Sequence, residues 1–492
     1  MEASLFEKAR YYWTDTKQVL KTLKLKREFD RNLHLYPEQI TKLQELKFRR
    51  LIKHAVANSE FYREHYKGIN IDTCSITDLP TLTKRKMMDN YDRLVTDKRL
   101  NRKDLTEYLK IPENASVNYK NDFVILNSSG TTGEKAIMGY HWEEFRNVFA
   151  VAMSRGSNDA ANPLTLLKSI VYKPLKIANI MLINSHSASF VVTFRVCTVE
   201  DHPLMKNRFF SIFTPLDKLV EQLNEFQPHV IQIYPSSLNY LAYEQLEGRL
   251  RLRFDDSRCS IISISEPLSN KTREMVRKAF GIDVTNTYGA CESIIMAREC
   301  ELHSGMHINS DLVIFEPVDE NYKPVPPGKS STRVLVTNLY TYAQPMIRYE
   351  VNDRVIMDDA GCTCGNRLPK IKAVEGRTEE ILFISKPGGG YEPVHPYIFL
   401  VPALNMQGFK EYQIDQVERD KAVFRIVPEK PGTITPEDLV KIMEFNMERE
   451  GLAGRMTFEG EILDMIPRDP VSGKVIQIKS SIGRPKELVD KF

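Results

Sequence analysis

The chain has 492 residues, 42% of them hydrophobic and 27% charged, with a formal net charge of +3. That length can bury a large core and points to two or three domains, while a charge so near balance, without a basic block, gives nucleic acid no electrostatic hold. The start, Met1-Glu2-Ala3-Ser4-Leu5-Phe6-Glu7-Lys8, lacks the basic-then-apolar order of a signal peptide, and no uncharged apolar run reaches the ~18 residues of a membrane-spanning helix.

Residues 1–110 read as mostly helical. Between Ile40 and Tyr62, the apolar residues Leu43, Leu46, Phe48, Leu51, Ile52, Ala55 and Phe61 recur at largely helical spacing. Leu79-Pro80-Thr81-Leu82-Thr83-Lys84 then marks a turn and a new helix start. From Phe123 the pattern changes. Short apolar runs (Phe123 to Leu126, Ala178 to Ile183, Val230 to Ile233, Ser260 to Ile264) alternate with helical stretches (Leu216 to Glu225, Leu238 to Leu246, Asn270 to Ala279). Strands separated by helices predict right-handed crossovers and a mainly parallel sheet.

Beyond Asp311 the chain turns strand-rich, with runs at Leu312 to Pro317, Thr332 to Thr337 and Arg354 to Met357. A last unit has strands near Tyr412 and from Ala422 to Val427, then a helix from Thr435 to Glu450. The predicted fold class is α/β. It comprises a large N-terminal domain with mainly parallel sheets flanked by helices, a β-rich subdomain, and a small mobile α+β C-terminal domain. The boundaries fall at 1–110 for the helical part of the large domain, 111–378 for its core and 379–492 for the small domain.

The sharpest local signal is Asn127-Ser128-Ser129-Gly130-Thr131-Thr132-Gly133-Glu134-Lys135, directly after the strand Phe123 to Leu126. Two glycines let the backbone turn tightly and expose N–H groups, and hydroxyl and amide side chains add donors for phosphate oxygens. The spacing is not that of a P-loop. On its own, such a stretch is also what many surface loops look like.

Four further motifs follow in order: Thr287-Tyr288-Gly289-Ala290-Cys291-Glu292, Arg348-Tyr349-Glu350-Val351-Asn352-Asp353, Gly376-Arg377-Thr378-Glu379-Glu380-Ile381 and Ser472-Gly473-Lys474. Together with the loop they resemble the adenylate-forming superfamily of acyl-CoA synthetases, adenylation domains and luciferases. Within it, Phe61-Tyr62-Arg63, Leu82-Thr83-Lys84, Ser263-Ile264-Ser265-Glu266-Pro267-Leu268 and Cys362-Thr363-Cys364-Gly365 look most like the phenylacetate–CoA ligase family. The matched motifs span roughly residues 45 to 480.

The resemblance implies an AMP-forming ligase that activates a carboxylic acid with ATP as its acyl-adenylate, releases pyrophosphate, and passes the acyl group to CoA. It implies that Ser128, Ser129, Gly130, Thr131, Thr132 and Gly133 cradle the β- and γ-phosphates, and that Glu292 binds Mg²⁺. Tyr288 would lie along adenine or phosphate, and Asn286 would meet the adenine edge, with Thr287, Gly289, Ser265, Glu266 and Pro267 around the nucleotide. Asp353 would take both ribose hydroxyls and Arg377 a phosphate or ribose oxygen. Lys474 would bridge the α-phosphate and the attacking carboxylate, so the catalytic set is Lys474, Thr131 and Glu292. A hinge is expected near Glu379. Relatives in this branch often form homodimers.

Three departures bear on the substrate. Glu134-Lys135 stands where relatives often have Lys-Pro, Cys291 replaces the usual Thr, and Ile264-Ser265 replaces a small, glycine-rich pair. The last change should narrow the space beside the adenine or acyl pocket. Acyl-pocket positions are expected near Asn184 to Ser187, Tyr234 to Ser236 and Ser265.

Seven cysteines in a chain this long make no disulfide framework, and a reducing cytoplasm fits them. Cys300, His303, Cys362 and Cys364 supply the ligand number of a structural zinc, and His307 could replace His303. Such a staple would tie the Glu292 motif to the Asp353 motif. Two other functions compete with the CoA ligase. One passes the adenylate to an amine, a hydroxyl or a carrier protein; the other is a non-catalytic nucleotide-binding scaffold, which Glu292 and Lys474 argue against.

Overall fold

A computed structural model of the chain describes residues 16–128, 136–155, 174–183, 186–197, 201–202, 205–211, 214, 216–266, 268, 270–377, 382–386, 388–394, 398–399, 406, 408–428, 430–449, 451–466, 478–483 and 485. They fall into two compact units, divided between Glu375 and Gly376.

In the first unit, helices α1 (Thr16–Asn32) and α2 (Pro37–Asn58) open the chain. Proline at the first turn of α2 costs no hydrogen bond, and Ile40, Phe48, Leu51, Ile52 and Ala55 line its buried face. The single helix expected through Tyr62 is broken at Ser59. Its backbone is extended there, and its hydroxyl caps the next short helix by accepting from Tyr62 N at 3.3 Å. Tyr62, fully buried, donates its hydroxyl to Pro345 O at 2.7 Å.

Strands β1 (Phe123–Asn127) and β2 (Ile137–His141) pair as an antiparallel hairpin, and helix α3 (Trp142–Arg155) follows. The large sheet is then built from β3 (Leu175–Met181), β4 (Asp201–His202), β5 (Met205–Ser211), β6 (Val230–Ile233), β7 (Ser260–Ser263), β8 (Val284–Ala290), β9 (Ser293–Glu299), β10 (Met306–Ile308), β14 (Asp353–Asp358) and β15 (Lys370–Arg377). Helix α4 (Ala188–Val196) follows β3, and α5 (Asn270–Phe280) links β7 to β8. Strand order is β14-β15-β10-β9-β8-β7-β6-β3-β5-β4.

The middle of this sheet, β5 through β8, is parallel, as the strand–helix alternation predicts. From β8 onward the pairing turns antiparallel, because β8 and β9 form a tight hairpin. Part of the strand-rich region therefore extends the parallel sheet. The other part, β11 (Val313–Val318), β12 (Arg333–Asn338) and β13 (Tyr349–Val351), makes a separate three-stranded sheet. One core runs through it all, joining Phe48, Leu51 and Tyr62 to Val124, Met181, Met296 and Val336.

The second unit pairs β16 (Leu382–Ser385) with β17 (Tyr391–Val394). It also holds a four-stranded sheet of β18 (Phe409–Glu418), β19 (Lys421–Pro428), β20 (Thr457–Ile462) and β21 (Ile478–Ser480), ordered β20-β19-β18-β21. Helix α6 (Pro436–Arg449) sends Leu439 and Met443 into a core with Ile384, Phe399, Ile414 and Phe424.

Glu144 on α3 braces the hairpin against a distant loop. Its Oε1 accepts from Tyr342 N at 2.8 Å and Ala343 N at 2.9 Å, and its Oε2 from His141 N at 3.1 Å. Burial opposes its charge more than these donors favour it, and its pKa rises from 4.5 to about 7. Between those two values the folded chain holds a proton that the unfolded chain has released, so stability falls as pH rises through that window. We expect thermal unfolding scans between pH 5 and pH 7.5 to show a loss of up to about 3 kcal/mol in the native protein. A smaller loss is expected in Glu144→Gln.

Candidate nucleotide site

The hydroxyl loop opens from β1 and returns into β2. Its base is closed by two bonds: Ser128 N donates to Ala136 O at 3.0 Å, and Ala136 N donates to Ser128 Oγ at 2.9 Å. Ser129, Gly130, Thr131, Thr132 and Gly133 lie outside the described residues. The base is joined to the β8–β9 turn. The Cys291 thiol donates to Asn127 O at 3.2 Å, and the Tyr140 hydroxyl donates to Cys291 O. The cysteine that replaces threonine in the motif thus still acts as a donor, toward backbone.

Glu292, in that turn, is buried, and its backbone oxygen accepts from Asn338 Nδ2 at 3.1 Å. Three residues earlier, Gly289 has no room for a side chain, since a Cβ would stand 1.7 Å from Ile294 O. Tyr288 donates its hydroxyl to Asp353 Oδ2 at 2.6 Å, which brings the second and third motifs together. Asn286 N donates to Glu299 Oε2 at 2.8 Å. Its side-chain oxygen is buried and, among the described residues, meets no donor. An exocyclic amino group would supply one.

Ser263 sits directly across from Asn286 in the β7–β8 ladder. Its hydroxyl is also buried without a partner among the described residues. Sequence reading placed Ser263 in a motif without giving it a role, and it passed over Glu299, because a glutamate outside the motifs carries no local signal.

After β7 the backbone turns sharply. Glu266 N donates to Ile264 O at 2.9 Å, and Ser265 is held at φ +67°. A left-handed conformation favours glycine, so the serine carries strain here. Ile264 is packed in the core and Ser265 is exposed. Arg377 ends β15. Pro267, Asn184, Ser185, Glu379 and Lys474 lie outside the described residues.

A second constellation lies in the same unit. Ligand atoms of Cys300, His307, Cys362 and Cys364 all fall within 4.8 Å of one another. His303, expected among them, instead places Nδ1 3.3 Å from Glu299 Oε2. Strand register explains the exchange. His307 lies in β10 opposite Lys370, at the mouth of the loop carrying both Cys362 and Cys364, while His303 is in the preceding turn at φ +48°.

The sulfurs of Cys300 and Cys362 are 3.7 Å apart, and Cys364 Sγ is 3.5 Å from His307 Nε2. A tetrahedral zinc with its usual bond lengths places sulfurs about 3.8 Å apart. His307 Nδ1 lies 3.0 Å from Leu368 O, which as a donor leaves Nε2 free to ligate. Without a cation the thiols compete. Burial and its two neighbouring thiols push Cys364 up to about 12. At Cys362 burial is outweighed by the Cys364 N–H and thiol, His307 and Ser304, and the thiol comes down to about 6.

No protein-family model matches the chain. It is 25% identical over 355 residues to a phenylacetate–coenzyme A ligase of Thermus thermophilus, covering 70% of this chain and 72% of that one. It is 23% identical over 397 residues to the protein CapK of Staphylococcus aureus, covering 78% of this chain and 75% of that protein. Among solved structures, a 2-hydroxyisobutyryl-CoA ligase with a bound acyl-AMP superposes with a TM-score of 0.57 over 90% of each chain at 17% identity. The fold is that of the adenylate-forming ligases.

Within this adenylate-forming fold, Gly289 is the tightest point of the candidate nucleotide strand. Gly289→Ala must displace backbone at Ile294, and we expect it to cost at least about 3 kcal/mol in denaturant unfolding. A variant as stable as the native chain would contradict the packing.

Proposed function

We propose that the chain is an AMP-forming ligase that adenylates a carboxylic acid and transfers the acyl group to CoA. The observation that carries this reading is the convergence of three motifs. The Tyr288–Asp353 hydrogen bond and the Cys291–Asn127 hydrogen bond tie the acidic motif to both the ribose motif and the base of the phosphate loop. Relatives named phenylacetate–coenzyme A ligase support it.

In the first half-reaction an oxygen of the acid attacks the α-phosphorus of ATP, and the bond to the β-phosphate breaks as pyrophosphate leaves. Two anions meet, so the protein must spread positive charge and N–H donors around them. The loop from Ser128 to Gly133 offers those donors, with Thr131 among them, and Lys474 supplies the cation on the reacting oxygens. Asp353 holds the ribose, the amide of Asn286 receives the adenine amino group, and Ser265, Glu266, Pro267, Thr287, Gly289 and Arg377 line the nucleotide. Glu292 is the carboxylate that would hold Mg²⁺, whose charge offsets the phosphates. In the second half-reaction the CoA sulfur attacks the acyl carbon and AMP departs. A change of position of the unit beyond the hinge near Glu379 would alternate the two steps.

The cysteine–histidine constellation fits a structural zinc held by Cys300, His307, Cys362 and Cys364. That ion would join the end of β9 to the loop after β14, and so brace the strands that carry Glu292 and Asp353.

ATP–pyrophosphate exchange across a panel of acids tests the reaction. We expect acid-dependent exchange that falls at least about 100-fold in Lys474→Ala and in Glu292→Gln. Thioester formation on adding CoA is expected; AMP release without it would move the acyl acceptor to an amine, hydroxyl or carrier protein. For the metal, elemental analysis should find one zinc per chain, lost in Cys362→Ser together with several degrees of melting temperature. A zinc-free native chain of equal stability would remove the staple.

A further inference from the structure

Glu299 ends β9 as a buried carboxylate outside every motif, and three other segments converge on it. Arg273, on α5, pairs with its Oε1 and sends a second guanidinium N–H to Val284 O at 2.8 Å. Asn286 N, on β8, donates to its Oε2 at 2.8 Å. His303 Nδ1, in the turn before β10, lies 3.3 Å from that same oxygen. A carboxylate taken out of water is tolerated when donors surround it.

The register shows what this carboxylate does for β8. The paired stretch of β8 and β9 begins at Thr287 and Arg298. One step further out, Asn286 and Glu299 stand opposite each other on the same side of the sheet. There a side chain makes the link between the strands. A hydrogen bond to a carboxylate is roughly twice as strong as one between neutral groups. On its other flank Asn286 is level with Ser263 of β7. The backbone of Asn286 is thus held from both sides, and its buried side-chain oxygen, which meets no donor among the described residues, starts from a fixed point. Arg273 grips both the start of β8, at Val284 O, and the carboxylate that holds the strand two residues on.

We propose that Glu299 is a positioning residue for base recognition: through Asn286 N it fixes the amide that receives the adenine amino group. The inference rests on the nucleotide reading above and concerns which base is read. Glu299 acts through Asn286, not on the nucleotide itself.

The test compares ATP with purine riboside triphosphate, which lacks the 6-amino group, in pyrophosphate exchange. We expect the native chain to favour ATP by at least about 100-fold in kcat/KM. Glu299→Met should lower that ratio by about 10-fold, with the loss falling on KM for ATP. Glu299→Gln, whose amide oxygen can still accept from Asn286 N, should restore part of it. Asn286→Ala should remove the preference, and adding Glu299→Met to it should lower the ratio no further. A ratio unmoved by Glu299→Met overturns the proposal, because a merely structural carboxylate would weaken the use of both nucleotides alike. So does a native chain that uses both equally, or a further fall in the double variant. Should Glu299→Met fail to fold, Glu299→Asp keeps the charge beside Arg273 but withdraws it from Asn286 N; a native ratio there overturns the proposal. Should no acid support exchange, the adenylating reading falls on its own, and thermal shifts with the two nucleotides decide. A larger shift with ATP that Glu299→Met levels sustains the positioning role; equal shifts, or none, overturn it.

Discussion

Neighbouring strands of a sheet stand about 4.8 Å apart, and the candidate chemistry of this chain is arranged by that spacing. The hairpin of β8 and β9 turns at Cys291-Glu292, and the turn is fastened to the base of the hydroxyl loop by the Cys291 thiol and the Tyr140 hydroxyl. From the same strand Tyr288 reaches Asp353. These two ties, together with the shared core, set the relative geometry of three motifs far apart in sequence. Gly289 makes the arrangement possible, because the hairpin closes over the space its side chain would occupy.

Groups outside the motifs hold the frame in place. Glu144 links α3 to the loop at Tyr342-Ala343. Arg348, buried within a motif, spends its guanidinium on Glu316 and on the carbonyl of Leu79, tying the segment before Leu82 to the three-stranded sheet. Motif membership therefore does not by itself mean contact with a ligand. The same distinction separates His307 from His303, which lie four positions apart yet face different partners.

Four residues with buried polar atoms that meet no partner among the described residues lie close together on β7, β8 and β9. Asn286 and Ser263, paired across strands, lack partners on one side of the sheet, and Thr287 and Arg298 lack them on the other. Buried polar atoms are rarely left without partners unless something outside the chain supplies them.

Much of this was legible in the linear chain. The alternation of apolar runs and helical stretches from Phe123 carried the parallel sheet, because strand burial imprints itself on local hydrophobicity. The glycine and hydroxyl spacing around Gly130 and the Tyr288-Gly289 step carried the nucleotide chemistry, because tight turns demand particular residues. Long-range register was not legible. The break at Ser59, the choice of His307 over His303, and the pairing of Arg298 with Thr287 depend on which strand lies opposite which. Composition is blind to that, and only the packed sheet decides it.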